Sequence, residues 1–185
     1  MISKKTGSGK HSMELRQNDC YETPLIALER LVQHIALPRH IYEPACGPGA
    51  IVNFLRNQGH SVYASDLIEY EGIQADWNVD FLATTEAPFD CIVTNPPYSL
   101  APFFVEHALK MCNRVIMLLR LAFIESTGRS HILEEAGLKR ILVFKKRLPM
   151  MHRKDWTGPK NTSATCYAWF EWHRHHTGPT TIERI

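Results

Sequence analysis

Short apolar runs that end in, or lead into, a polar residue recur along the 185-residue chain, with helical patterns between them. The clearest of these runs are 40–43, 61–64, 90–94 and 115–119. Strands that are separated by helices need crossover connections, which are right-handed and build a mainly parallel sheet. The sequence therefore predicts an α/β domain with helices on both faces of the sheet.

Two later runs, 140–144 and 165–172, have no convincing helix between them. They are predicted to form an antiparallel hairpin with a long tip, and residues 73–75 add one short strand. We therefore expect a seven-stranded sheet whose last strand is antiparallel. Three large aromatic residues of that strand are predicted to lie in the core: Trp169, Phe170 and Trp172.

The length of the chain favours one domain that buries about 70% of its extended surface. Residues 1–19 are polar and basic and are expected to form a flexible tail, and residues 174–185 a polar C-terminal tail. The domain itself is predicted to span 20–173. Its first helix begins at Thr23 and Pro24, which form a typical N-cap and first-turn pair.

Composition argues against several classes of protein. No apolar stretch approaches the ~20 residues that span a bilayer, and the amino terminus lacks the apolar segment of a secretory signal. The five cysteines are scattered without a C-x-x-C pair, and the histidines at 173–176 have no carboxylate or cysteine at ligand spacing. We expect a cytoplasmic protein with no membrane contact and no metal site.

The tetrapeptide Asn95-Pro96-Pro97-Tyr98 directly follows one of the apolar runs. A planar amino nitrogen is a poor nucleophile because its lone pair is delocalised, so an enzyme has to hold both N–H bonds in acceptors. The Asn95 side-chain oxygen and the Pro96 carbonyl are neutral acceptors, and the prolines fix the backbone that aims them. Tyr98 offers a ring on which a base can stack. The motif predicts methyl transfer to a planar nitrogen.

A second motif, Glu-Pro-Ala-Cys-Gly-Pro-Gly, runs from Glu43 to Gly49. It places an acidic residue and a glycine turn between a strand and a helix, where the backbone of an open α/β sheet approaches its ligand. Position 52 is Val52, so the third glycine of a dinucleotide fingerprint is missing. This departure argues against NAD or FAD as the ligand.

Further matches are Tyr21-Glu22-Thr23-Pro24, Asp66 and Asp80-Phe81. Together with the two motifs, and in the same order, they resemble S-adenosylmethionine-dependent adenine-N6 DNA methyltransferases of a compact, phage- or prophage-like form. The resemblance covers most of the chain. It implies a Rossmann-like class I methyltransferase domain, S-adenosylmethionine as cofactor and adenine in DNA as methyl acceptor. The implied catalytic residues are Asn95, Pro96, Pro97 and Tyr98.

The resemblance also implies cofactor contacts. Asp66 would accept hydrogen bonds from the ribose hydroxyls, Leu67 would lie against the adenine, and Asp80 beside Phe81 would accept a hydrogen bond from the adenine amino group. Glu43 would approach the amino end of the methionine moiety, directly or through water. The remaining implied contacts are Asn95, the segment that closes over the methionine carboxylate and the backbone of the glycine turn, that is, Tyr21, Thr23, Pro24, Ala45, Cys46, Gly47 and Gly49.

Several of these residues have alternative interpretations. Asp66 is also a favourable helix N-cap, and Asp76 is a rival for the role of Asp80. Asp80 with Phe81 can equally form a capped turn with a core aromatic residue, and Glu43 can have a structural role facing helix N-termini. Thr23 with Pro24 marks a helix start by spacing alone. Cys46 is not expected to be a nucleophile, because the sequence implies no base or histidine partner for it.

Basic residues are concentrated after the sixth predicted strand, although the net charge is only +2. Such a segment suits phosphate neutralisation, and equally a solvated hairpin loop. Trp156, the aromatic residue of this segment, would either line a base pocket, insert into a duplex or pack on the sheet edge. The predicted nucleic-acid contacts are Lys145, Lys146, Arg147, Arg153, Lys154 and Trp156.

Other functions stay open at this point. RNA base methyltransferases use the same tetrapeptide, as do protein-glutamine methyltransferases, which carry a helical domain ahead of the first strand. A non-catalytic cofactor-binding subunit is a further alternative. Methyltransferases with these motifs usually carry a target-recognition domain after the last strand, where only 174–185 follow here. Recognition is therefore expected from the basic hairpin, the tails, a specificity subunit or a homodimer.

Overall fold

The computed structural model describes residues 21–85, 89–150 and 164–185. These residues form a single eight-stranded sheet with helices on both of its faces. The strands are β1 (His40–Glu43), β2 (Ser61–Asp66), β3 (Asp76–Trp77), β4 (Cys91–Thr94), β5 (Arg114–Arg120), β6 (Leu138–Val143), β7 (Tyr167–His173) and β8 (Thr181–Arg184).

In the part of the chain that the structure describes, four α-helices connect or flank the strands. They are α1 (Leu25–His34), α2 (Ala50–Asn57), α3 (Ala101–Met111) and the single turn α4 (Ser130–Leu133). Three 3₁₀ helices cover Phe81–Ala83, Leu121–Ile124 and Thr127–Arg129. Within the described ranges, no helix is both long and apolar enough to cross a bilayer.

The strands are ordered β3-β2-β1-β4-β5-β7-β6-β8 across the sheet. Strands β1 to β5 are parallel, β7 is antiparallel to both of its neighbours, and β8 is parallel to β6. The predicted hairpin of β6 and β7 is confirmed. The carboxyl ends of β1, β2, β4, β5 and β6 therefore meet at one edge of the sheet.

The sequence predicts seven strands and a polar tail at 174–185, whereas the structure has an eighth strand within that tail. Strand β8 pairs with β6 from Arg140 opposite Thr181 to Val143 opposite Arg184. All four of its residues are exposed, and only Ile185 beyond it is buried. Because main-chain pairing rather than side-chain burial holds this edge strand, no hydrophobic pattern marks it in the sequence. The short third strand also lies at 76–77, not at 73–75.

The core has one layer on each face of the sheet. Helices α1 and α2 pack around Trp169, whose Nε1 donates to the Ala27 carbonyl across 2.9 Å. Helix α3 packs with Phe170 and Trp172 on the other face, and Trp172 Nε1 donates to the Ile132 carbonyl across 2.7 Å. The three aromatic side chains are fully buried, as predicted, and both indole donors are satisfied.

A buried ion cluster closes the amino edge of the parallel strands. Glu171 has no exposed surface, and its carboxylate contacts Arg114 at 2.8 Å, Arg140 at 2.6 Å and His173 at 2.9 Å. Burial opposes ionisation of Glu171, but the His173 hydrogen bond and the two guanidinium groups outweigh it and hold the pKa of that carboxyl below its usual value. Arg140, although close in sequence to the predicted phosphate-binding residues, therefore belongs to this cluster.

Candidate active site

A cavity lies at the edge where the carboxyl ends of the parallel strands meet, which is where open α/β folds bind their ligands. Its empty volume is about 990 Å³, part of it open to solvent. It is bounded by the turn after β1, the residues after β2, the 3₁₀ helix Phe81–Ala83 and the residues after β4. The predicted site residues on its wall are Tyr21, Thr23, Ala45, Cys46, Gly47, Asp66, Leu67, Asp80, Phe81, Asn95 and Pro97.

Asn95 is held at the wall of this cavity by two hydrogen bonds. Its Nδ2 donates to the Tyr21 carbonyl at 2.9 Å and to the Thr23 hydroxyl at 3.1 Å. A main-chain carbonyl only accepts, so it fixes which end of the amide carries the nitrogen. The Oδ1 atom is buried and has no hydrogen-bond partner among the described residues. An unsatisfied buried carbonyl costs about 1–3 kcal/mol, which a ligand that donates an N–H would recover.

The rest of the tetrapeptide forms the turn that leads into α3. Pro96 is buried, Pro97 lines the cavity, and the Pro97 carbonyl accepts a hydrogen bond from the Leu100 amide at 2.9 Å. Helix α3 then begins at Ala101, with Pro102 in its first turn, where the missing N–H of proline costs nothing. Pro96 and Pro97 thus restrict the backbone directly after Asn95, as the motif predicts.

The Tyr98 ring already has neighbours. Its centroid lies 5.6 Å from that of Tyr21 and 5.5 Å from that of Tyr167, and the Arg120 Cζ atom lies over the ring at 4.9 Å from the centroid. Arg120 is exposed, whereas Tyr167 is buried. A base that stacks on Tyr98 must therefore take the place of a neighbour, and Arg120 is the one that can move into solvent.

Asp66 joins the glycine turn to β2. Its Oδ2 accepts from the Gly47 amide at 2.8 Å and its Oδ1 from the Ile68 amide at 3.0 Å. Burial raises the pKa of this carboxyl. No helix begins at Asp66, so the alternative interpretation as a helix N-cap is wrong. Each oxygen keeps acceptor capacity for a further donor, and Leu67 beside it is exposed on the cavity wall.

Asp80 and Asp76 are separated by the structure. Asp80 lines the cavity, and its Oδ1 accepts from the Leu82 amide at 3.0 Å at the start of the 3₁₀ helix. Asp76 lies on β3, accepts from the Tyr63 hydroxyl at 2.6 Å and does not line the cavity. Phe81 is buried against Tyr42 and Phe104. The positions favour Asp80 over its rival as a cofactor ligand.

The glycine turn is tight and backbone-lined. Gly47 and Gly49 have φ values of 49° and 90°, a region that favours glycine, and a Cβ at Gly49 would lie 2.3 Å from Ile73 Cδ1. Cys46 lines the cavity, and burial raises the pKa of its thiol to about 12. A thiol in this state is no nucleophile, which supports a role through the backbone alone.

Glu43 lies behind the turn, not on the cavity wall, and it is fully buried. Its Oε1 accepts from the Ala45 amide at 3.3 Å, whereas Oε2 and the nearby Thr94 Oγ1 have no hydrogen-bond partner of good geometry among the described residues. Burial raises the pKa of the Glu43 carboxyl well above its usual value. The predicted residues Pro24, Gly49 and Pro96 are likewise near the cavity without lining it.

Three of the predicted phosphate contacts lie within the described residues. Lys145, Lys146 and Arg147 are exposed just after β6, at the same edge of the sheet as the cavity, and Arg147 donates to the Ala164 carbonyl. Arg153, Lys154 and Trp156 fall outside the described residues, as do the predicted tail residues 1–19.

Several wall residues were not predicted. They are apolar or aromatic side chains in the segments that follow the strands, and spacing alone does not mark them: Ile68, Tyr70, Val79, Leu82, Leu100 and Phe104. Arg120 was also missed, although a charged residue at the carboxyl end of a parallel strand is the signal that identified Glu43 and Asp66.

No family profile matches the chain, and no curated protein sequence matches it. Solved structures do. The E. cuniculi Mtq2–Trm112 complex, responsible for methylation of the termination factor eRF1, aligns with a TM-score of 0.58 and 17% identity over 84% of this chain and 99% of that chain. The 23S rRNA methyltransferase ErmE aligns with a TM-score of 0.56 and 15% identity over 84% and 70%.

A third neighbour is the Pyrococcus abyssi tRNA uracil methyltransferase in complex with S-adenosyl-L-homocysteine, with a TM-score of 0.54 and 16% identity over 78% of this chain and 37% of that chain. Identities this low relate the folds and leave the acceptor undecided. The chain has the Rossmann-like fold of the class I methyltransferases.

Proposed function

We propose that this protein transfers a methyl group from S-adenosylmethionine to the exocyclic amino nitrogen of adenine in DNA. The observation that carries the proposal is the buried Oδ1 of Asn95, an acceptor without a partner among the described residues, in an amide whose other end is fixed by Tyr21 and Thr23.

The cavity suits the cofactor. Its wall combines carboxylates, among them Asp66 and Asp80, with apolar side chains such as Leu67, and this mixture fits a nucleoside with ribose hydroxyls and a purine. Gly47 has no side chain to obstruct the approach of a ligand to the turn. When bound, S-adenosylmethionine supplies a methyl group that its positive sulfur has already activated.

The chain's own residues then position the acceptor nitrogen. Asn95 Oδ1 and the Pro96 carbonyl accept its two N–H bonds and favour the positive charge that grows on nitrogen during transfer. The surplus proton leaves to water after transfer. Tyr98 stacks the base once Arg120 has moved from its ring, which recovers part of the few kcal/mol that extraction of a base from a duplex costs.

Charge at this edge supports a nucleic acid as substrate. Lys145, Lys146 and Arg147 are exposed at the same edge of the sheet as the cavity, where they would neutralise phosphates of a bound strand. A specificity subunit or a second copy of the chain would complete recognition of the DNA.

RNA is the second candidate acceptor. Two of the structural neighbours are named as methyltransferases of rRNA and tRNA, and the same planar amino nitrogen occurs in adenine and guanine of RNA. A protein acceptor is favoured less, because the exposed basic residues at this edge suit phosphates better than a neutral glutamine side chain.

The deciding experiment offers radiolabelled S-adenosylmethionine with DNA, RNA and protein in parallel, followed by nucleoside analysis of the labelled product. We expect N6-methyladenine in the DNA arm. Asn95→Ala should abolish transfer and leave cofactor affinity nearly unchanged, because the cavity keeps its carboxylates. Asn113→Ala, a change at the opposite edge of the sheet, is the matched control and should retain wild-type transfer. A fully active Asn95→Ala variant would remove the proposed mechanism, and label in RNA alone would replace DNA by RNA as the acceptor.

A further inference from the structure

A second cavity opens beside the first, where β5 runs into the 3₁₀ helix Leu121–Ile124. Its empty volume is about 490 Å³, and its wall includes Tyr98, Leu119, Arg120, Phe123 and Arg129. Pro97 and Ser99, on either side of Tyr98, line the first cavity. The two cavities therefore adjoin at the tetrapeptide.

The two arginines of this second cavity are supported by aromatic rings. Arg120 Cζ lies 4.9 Å from the Tyr98 centroid, and Arg129 Cζ lies 4.6 Å from the Phe123 centroid. Contact with a ring face positions a guanidinium without using its N–H donors. Within 21–85, 89–150 and 164–185, neither arginine forms an ion pair with a carboxylate.

Acidic groups close to this cavity do not neutralise it. Glu125, in the segment that joins the two arginines, is exposed and forms no ion pair with either of them in the described part of the chain. Glu106 on α3 pairs with His131 at 2.9 Å. Two guanidinium groups that form no ion pair within the described ranges thus line one concave surface next to the Asn95 site.

We propose that Arg120 and Arg129 bind the phosphodiester that flanks the target nucleotide. Planar, forked donors match the oxygens of a phosphate better than a point charge does. A base that replaces Arg120 on the Tyr98 ring brings its own phosphate along, and the displaced guanidinium then has an anion to bind. This inference rests on the proposed function and deepens it, because the acceptor must then belong to a polynucleotide.

The test measures the binding of each protein variant to nucleic-acid probes in which selected phosphates have been made neutral. The probes are a short single-stranded DNA with one central adenine in a thymine background, and its RNA counterpart with uracil. Each is made with natural phosphates, with methylphosphonates flanking the adenine, or with the same number of methylphosphonates at the far end. Fluorescence anisotropy measures binding by the wild type, by Arg120→Gln/Arg129→Gln and by Lys145→Gln/Lys146→Gln, which loses the same charge elsewhere on this edge.

We expect wild-type affinity to fall about tenfold when the flanking phosphates are neutral, and to change little when the far ones are. The arginine variant should bind the natural probe about tenfold more weakly and show no additional loss with neutral flanking phosphates. The lysine variant should retain the selective loss. Thermal melting checks that each variant folds. If the double variant does not fold, the single variants Arg120→Gln and Arg129→Gln replace it, and each should show a smaller selective loss of affinity with neutral flanking phosphates than the wild type does.

Three results would overturn the site: equal losses for the wild type and the arginine variant, no selective loss in the wild type, or no binding of either probe. If the selective loss, and its absence in the arginine variant, occur with the RNA probe alone, the phosphate site stands and RNA is the substrate. Binding is measured without methyl transfer, so the two proposals can fail separately. If the wild type shows the selective loss of affinity but no nucleic acid is methylated, the proposed function is overturned and the phosphate site stands.

Discussion

The side-chain nitrogen of Asn95 donates a hydrogen bond to the hydroxyl of Thr23, 72 positions earlier in the chain, across 3.1 Å. This contact joins the segment ahead of α1 to the end of β4. The family resemblance implies that Thr23 contacts the cofactor. The geometry adds that Thr23 orients the Asn95 amide, which under the proposed function would receive the target nitrogen.

Thr23→Val should therefore slow methyl transfer. The valine keeps the shape of threonine but removes the oxygen that accepts from Asn95 Nδ2, so the amide keeps only the Tyr21 carbonyl. A neutral hydrogen bond is worth about 1 kcal/mol, and we expect kcat to fall about fivefold with a smaller effect on the KM for S-adenosylmethionine. Thr23→Ser, which retains the hydroxyl, should recover most of the rate. Wild-type kcat in the valine variant would rule out this orienting role.

Asp80→Ala is expected to weaken cofactor binding, and Asp76→Ala is its matched control. Asp80 lines the cavity, whereas Asp76 accepts from Tyr63 on β3 away from it. Loss of a carboxylate hydrogen bond should cost about 1.5–3 kcal/mol, or roughly ten- to a hundredfold in Kd, measured by titration calorimetry with S-adenosylhomocysteine. Equal Kd values for the two variants would show that the carboxylate at position 80 does not bind the cofactor.

Glu43→Gln should make the ligand-free protein more stable relative to the wild type as pH rises. Burial raises the pKa of Glu43 in the folded state above its unfolded value, so folding takes up a proton. The stability from this group is present below the unfolded pKa and is lost as pH rises through the folded pKa. The glutamine amide of the variant stays neutral at every pH. Thermal melting of both proteins between about pH 5 and 9 measures the difference in their stability. A difference that stays constant over this range would show that Glu43 is ionised in the folded protein.

Glu171→Gln is expected to lower the free energy of unfolding by roughly 3 kcal/mol near neutral pH, because Arg114 and Arg140 lose the buried charge between them. The pKa of Glu171 is lowered in the folded protein, so its stabilising contribution is present above the unfolded pKa and is lost as pH falls through the folded value. Urea unfolding at several pH values should show the two proteins converge in acid. The exposed pair of Glu106 and His131 serves as control, since Glu106→Gln should change stability by less than about 1 kcal/mol.

The strands that lie inside the sheet were predictable because their side chains are buried on both faces. Strands β4 and β5 read as continuous apolar runs, and the aromatic residues of β7 mark a core strand. Strand β8 was not predictable, since exposed residues such as Thr181 and Glu183 carry no hydrophobic pattern and the strand exists through its pairing with β6.

Some features of the candidate site were likewise predictable from the local sequence, and others were not. Local chemistry marks the glycine turn and the tetrapeptide, because only particular residues allow a φ of 90° at Gly49 or fix the backbone around Asn95. Asp76 and Asp80 are close in sequence and chemically identical, so nothing local could choose between them. Asp80 lines the cavity and Asp76 does not, which favours Asp80 as the cofactor ligand.

The parallel α/β architecture and the two motifs at the carboxyl ends of the strands follow from burial pattern and turn chemistry, which are local properties that the order of residues reveals. The hydrogen bond from Asn95 to Thr23 and the cavity that Tyr98 shares with Arg120 and Arg129 cannot be read from that order. They depend on how the strands pack, because packing brings residues from different segments within contact distance.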